Sequence, residues 1–149
     1  IEMKKNRHYF IKSEGYTVVK LKKTVTNHYQ TKAKINNIEG LFIIDTGASN
    51  TCVNLKFSKK FNLIFEESKI KASSATDLMD ETKISKKNSL KIGKYINLKC
   101  SIILFNMDHI NKALNERDIT NVDGIIGADI LKKGKAIIDY EKNRLYLKP

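Results

Sequence analysis

Four apolar residues, Leu41-Phe42-Ile43-Ile44, run straight into a carboxylate, Asp45. The chain then turns through Thr46-Gly47-Ala48-Ser49 before an apolar return at Cys52-Val53. A short, continuous apolar run of this kind reads as a buried strand. The carboxylate at its end must be capped, paired or solvated, because burying it unpartnered is costly. An aspartate in this place can simply cap the next turn. Its neighbours favour a more specific role. Thr46 can donate to, or accept from, groups beside it. Gly47 tolerates positive φ and lets backbone N–H groups approach the carboxylate. Ala48 and Ser49 are small, so the turn is tight and holds Asp45 rigidly in a partly desolvated place.

The rest of the chain reads as mostly β. Residues 16–35 alternate and carry β-branched side chains, which predicts two strands turning near Thr26-Asn27-His28. Asn36-Asn37-Ile38-Glu39-Gly40 is a second turn signal before the Asp45 strand. Asn54 is placed to cap a short helix over residues 55–61, ended by Asn62. Four strand-like pieces follow between residues 70 and 105. The polar segment 106–121, with Ile110 and Leu114 at helical spacing, reads as a surface helix or an inserted loop. The C-terminal part predicts a short strand, a helix near Ala128 to Lys132, and a hairpin turning at Glu141-Lys142-Asn143.

Composition narrows the function classes. A chain of 149 residues, 41% hydrophobic and 30% charged, fits one domain with a real core. No apolar run approaches the ~20 residues of a membrane helix. The chain begins at Ile1, so an export or anchor segment upstream stays open, and the compartment is unknown. The net charge of +12 is scattered. Its densest groups are Lys20-Lys22-Lys23, Lys56-Lys59-Lys60 and Lys132-Lys133-Lys135. None is interleaved with aromatic residues, so no specific nucleic-acid partner is expected. Cys52 and Cys100 are too few and too far apart for a paired-cysteine metal site and read as buried free thiols. His8, His28 and His109 lack metal-ligand spacing and read as surface residues. Neither a metal nor a cofactor is expected.

Asp45-Thr46-Gly47-Ala48, preceded by Phe42-Ile43-Ile44, resembles the active-site motif of aspartic proteases of the single-domain retropepsin-like family. Far downstream, Gly124-Ile125-Ile126-Gly127 resembles the second family motif. The likeness spans roughly residues 16–147. It implies a retropepsin-like closed β-barrel over residues 16–149, with two or three short helices, preceded by an N-terminal extension over residues 1–15. It also implies that Asp45 is catalytic, that Thr46, Gly47 and Ala48 form the active-site loop, and that Gly124, Ile125, Ile126 and Gly127 support that loop from beneath. A substrate-covering flap matches residues 69–91, with Ser73, Ser74, Ala75 and Thr76 near its tip. This segment departs from the family pattern in having no glycine between Gly47 and Gly93.

The chemistry that the resemblance implies needs two close carboxylates sharing one proton. The chain holds one Asp-Thr-Gly. A two-fold homodimer would bring the Asp45 of each chain together on the axis, and by resemblance Thr46 would reach across to the partner's backbone. The expected activity is an aspartic endopeptidase acting on a peptide or protein. Two alternatives stay open: a non-catalytic retropepsin-like module that binds a peptide or protein, and a basic β-barrel module for anionic polymers.

Overall fold

Asn36 and Asn37 both adopt left-handed backbone, with φ of 50° and 68°. Two-residue hairpin turns that match strand twist require this, and asparagine meets the requirement at lower cost than most residues. The turn joins strands Tyr29–Ile35 and Ile38–Ile44, paired from Ile35↔Ile38 to Tyr29↔Ile44. The computed structural model describes residues 6–68, 81–115 and 121–149.

In chain order the first elements are helix α1 (Arg7–Ser13) and strands β1 (Thr17–Lys20), β2 (Lys22–Lys23), β3 (Tyr29–Ile35), β4 (Ile38–Ile44) and β5 (Cys52–Asn54). A 3-10 turn at Leu55–Phe57 leads to β6 (Glu66–Ser68), β7 (Thr82–Ile92), β8 (Tyr95–Phe105) and α2 (Asp108–Asn115). The chain closes with β9 (Gly124–Ile126), α3 (Ala128–Lys133), β10 (Ile137–Asp139) and β11 (Arg144–Leu147). The fold is mainly β with three short helices among the described residues, as expected.

Strands β3, β4, β9, β5, β8 and β7 are neighbours in that order, and β7 pairs back onto β3, so the sheet closes into a six-stranded barrel. Strand β2 extends β3 at one edge, β6 extends β7, and β1, β11 and β10 form a second small sheet. Alternation along β3 and β4 sends Ala33, Ile35 and Phe42 inward, where they meet Phe61, Leu90, Ile102, Leu104, Ile126 and Leu145. Each fully buried Leu, Ile or Phe contributes about 1.5–3 kcal/mol of transfer free energy, so this cluster dominates the stability of the barrel.

Two local expectations are corrected, and one element is added. The helix expected over residues 55–61 is a single 3-10 turn, although Asn54 does cap it, accepting from Lys56 N–H at 3.4 Å. Residues 82–92, read as two separate pieces, are one strand. The polar stretch that divides them in sequence is an irregularity in its pairing with β8, where Lys87 takes φ 61°. The N-terminal segment, given no structure from sequence, contains α1. That helix docks on the C-terminal hairpin: the Arg7 guanidinium reaches Asp139 (3.2 Å) and Glu141 (3.1 Å), and His8 Nδ1 lies 2.8 Å from the Tyr146 hydroxyl. The flap residues Ser73, Ser74, Ala75 and Thr76 lie outside the described residues.

Candidate active site

Asp45 stands one residue past the end of β4, half-buried, at the point where parallel pairing with β9 (Phe42↔Gly124 to Ile44↔Ile126) runs out. Its N–H continues the ladder by donating to Ile126 O at 3.0 Å. The carboxylate Oδ1 accepts the Gly47 N–H at 2.9 Å, and the Ala48 N–H donates to Asp45 O at 3.2 Å. Gly47 therefore does bring a backbone N–H to the carboxylate. Its φ is not in the left-handed region, however; Gly15 and Gly93 are the glycines there. What a side chain at 47 would meet is Asp45 Oδ1 itself, 3.3 Å from a Cβ.

Strand β9 lies between the two limbs of this loop. It is parallel to β4 on one side and antiparallel to β5 on the other, through Cys52↔Ile125 and Val53↔Gly124. Gly124 and Gly127 are required by space. A Cβ on Gly124 would lie 2.1 Å from Cys52 O, and one on Gly127 would lie 2.7 Å from both Ala48 O and Asn50 O. The Ala128 N–H then donates to Ala48 O at 2.7 Å, tying the start of α3 to the loop. Ile126 is fully buried beneath the loop, and Ile125 packs outward with Ile43, Val122 and Ile110. All four residues expected to support the loop thus meet it or its flanking strands.

Three further side chains hold the site, and sequence reasoning missed them. The fully buried Thr51 donates its hydroxyl to Asp129 Oδ1 at 2.8 Å and its N–H to Asp129 Oδ2 at 3.1 Å. The same hydroxyl accepts the Gly127 N–H at 3.1 Å. Asp123, on the opposite side of β9 from Asp129 in the chain, accepts the Leu41 N–H at 2.9 Å and pairs with Lys60 Nζ at 2.9 Å. Both acids fix backbone, so among the acids around the loop it is Asp45 that faces outward into a hollow. Nothing in residue type or spacing flags these partners, because they lie 63 to 82 positions apart in the chain.

The hollow has a volume of about 310 Å³ and is lined by Asp45 and Thr46 together with His28, Tyr29, Ile138 and Tyr140. His28 is exposed, as expected, but borders the carboxylate's surroundings. Cys52 lies beside the loop as a buried free thiol. Burial pushes its pKa up to about 12, with further contributions from the Asp129 and Asp45 carboxylates. Its sulfhydryl is engaged with Asn50 O at 3.2 Å, so it acts as packing rather than as a nucleophile.

A closed barrel with an Asp-Thr-Gly loop clasped by a Gly-Ile-Ile-Gly strand defines the class of retropepsin-like acid-protease folds. Residues 31–130 match the family model described as aspartyl protease, and the chain belongs to that family. Among solved structures, a retropepsin-like aspartic protease from Rickettsia conorii is similar at 20% identity and TM-score 0.58, covering 89% of this chain and 90% of that one. The EIAV protease in complex with the inhibitor HBY-793 is similar at 16% identity and TM-score 0.56, over 78% of this chain and 96% of that one. The retroviral protease-like domain of Ddi1 from Leishmania major gives 15% identity and TM-score 0.51, over 79% and 86% of the two chains. No curated protein sequence matches significantly.

Proposed function

We propose that the protein is an aspartic endopeptidase that hydrolyses peptide bonds with a water activated by two Asp45 carboxylates, brought together in a two-fold homodimer. The observation that carries this reading is the state of the Asp45 side chain. Oδ1 is held by the Gly47 N–H, while among the described residues no hydrogen bond engages Oδ2. A carboxylate anchored through one oxygen and open at the other is what each half of a shared-proton pair must supply. Thr46 supports the same reading. It is exposed, and its hydroxyl has no hydrogen-bond partner among the described residues, as expected of a group that bonds across a symmetry axis.

Two carboxylates in contact cannot both ionise, so the pair holds one proton and titrates as a unit. The ionised member takes a proton from water as the water oxygen attacks the peptide carbonyl carbon. The protonated member gives its proton to the carbonyl oxygen. The tetrahedral diol then collapses: the C–N bond breaks, a proton passes to the leaving nitrogen, and the pair is singly protonated again. By resemblance, a flap over residues 69–91, with Ser73, Ser74, Ala75 and Thr76 near its tip, would cover the peptide and exclude bulk water.

Casein hydrolysis followed against pH, wild type beside Asp45→Asn, tests the proposal when run together with sedimentation. The expected result is a wild-type maximum at roughly pH 4–6, lost in the nearly isosteric variant. Residual Asp45→Asn activity within about tenfold of wild type would overturn the catalytic role, since removing the shared proton should cost far more. A wild-type dimer that cleaves nothing across acid pH would overturn it in favour of a non-catalytic peptide-binding module.

A further inference from the structure

The cationic group Lys20-Lys22-Lys23 plays no part in the site around Asp45. Two of its members border a separate groove of about 850 Å³, which shares only Leu21 with the hollow at Asp45. The groove lies where the strand ladder is interrupted. Strand β3 pairs with β2 at Tyr29 and Gln30 and with β7 at Lys34 and Ile35, while Thr31, Lys32 and Ala33 have no ladder partner on that edge among the described residues.

Among the described residues Lys20, Lys22, Lys32, Lys34 and Lys91 line the groove, against a single carboxylate, Glu39. Among the described residues none of the five lysines is ion-paired. Val19, Leu21 and Leu41 supply apolar wall. Gln30 also lines the groove, and strand alternation places it on the face of Lys32 and Lys34. It is only 4% exposed, and its buried Nε2 has no hydrogen-bond partner among the described residues. A buried amide donor without an acceptor is destabilising. Turned outward into the groove, the amide would be satisfied by an incoming acceptor.

We infer that this groove docks an extended acidic peptide segment, with its carboxylates against the lysines, alternate apolar side chains on Val19, Leu21 and Leu41, and an oxygen accepting from Gln30 Nε2. Charge complementarity selects the occupant. The same patch of a second copy, meeting it about a two-fold axis, would set lysines against lysines. Among the described residues no aromatic side chain lines the groove, so they offer no base-stacking platform for a nucleic acid. An isolated phosphate would leave the apolar wall and most of the volume unused.

The probe is a fluorescein-labelled octapeptide of alternating valine and glutamate. Its binding is followed by anisotropy with the Asp45→Asn protein, so that the readout stands whether or not the chain is a protease. At about 0.05 M salt, where charges are weakly screened, Lys32→Glu with Lys34→Glu should weaken binding by roughly tenfold or more. Gln30→Leu should weaken it about fivefold, the worth of one hydrogen bond. Its thermal midpoint should not fall, because the lost Nε2 has no partner among the described residues. A valine–glutamine peptide should bind at least about tenfold more weakly than the acidic one. Affinity unchanged in the lysine double variant would place the peptide at Asp45 and overturn the inference. So would no binding at about 1 mM peptide, or a single-stranded oligonucleotide of equal charge binding more tightly with the same lysine dependence.

Discussion

Gly127→Ala tests how the active-site loop is held. The φ of Gly127 is −100°, which any residue adopts, so the need for glycine is a matter of space. A Cβ would sit 2.7 Å from Ala48 O, 2.7 Å from Asn50 O and 2.8 Å from Asn50 C. These are backbone atoms and cannot rotate away. Restoring ordinary contact near ~3.5 Å moves the loop against β9 by roughly 0.7–1 Å. That shift stretches Ala128 N–H to Ala48 O, now 2.7 Å, and Gly127 N–H to Thr51 Oγ1, now 3.1 Å. Overpacking costs about 1–3 kcal/mol and each weakened hydrogen bond up to about 1 kcal/mol. The sum is about 3 kcal/mol, or a midpoint lowered by about 6–12 °C for a domain of this size. Gly47→Ala is the contrast. Its Cβ would meet only Asp45 Oδ1, at 3.3 Å, and should cost under about 1 kcal/mol of stability while disturbing the carboxylate. Thermal denaturation at pH 7 reads both. A Gly127→Ala midpoint within about 2 °C of wild type, or an equal fall in Gly47→Ala, would refute the reasoning.

Ile126→Asp should not fold: the side chain is fully buried, and an unpaired charge there costs several kcal/mol, comparable to the whole stability of a small domain. A soluble, cooperatively melting variant would contradict it. Dimerisation of two +12 chains should strengthen from ~0.01 to ~0.15 M salt as the Debye length falls from roughly 30 to 8 Å, measured by sedimentation with activity in parallel. A monomer whose specific activity is independent of enzyme concentration would end the shared-site mechanism. Cys52 and Cys100, both with pKa raised to about 12 chiefly by burial, should resist alkylation at pH 8 until the protein is denatured. Because the raised values belong to the folded state, their contribution is intact below the unfolded thiol pKa and is lost as pH rises toward 12, so urea midpoints should fall through that range. Rapid labelling of the native protein would show that the thiols are accessible.

The parts of the site legible in sequence are local. Asp45 announces itself because a charge ends an apolar run, and Gly124-Ile125-Ile126-Gly127 because two glycines bracket two buried side chains. The Asn36-Asn37 turn was readable for the same reason, since its backbone requirement and its residues coincide. What escaped detection depends on distant pairing. Asp129 and Asp123 look like ordinary surface acids until Thr51, Leu41 and Lys60 are brought to them. Helix α1 buries only Ile11 and is held by Arg7 and His8 on the C-terminal hairpin, so it shows no apolar stripe. Strand β7 reads as two pieces in sequence because Lys86-Lys87-Asn88 breaks the alternation, yet pairing with β8 continues on either side.

The clasp of β9 between β4 and β5 also sets an order of events during synthesis. Thr51 leaves the ribosome 78 residues before Asp129, the side chain that fixes it. At about 5–20 residues per second that interval is roughly 4–16 s. Throughout it the strand that receives the Asp45 N–H does not yet exist, and the loop has no floor. A nascent chain therefore displays the Asp-Thr-Gly tripeptide without its held geometry. Whatever chemistry the carboxylate performs is withheld from neighbouring unfinished polypeptides until residues 124–129 have been made.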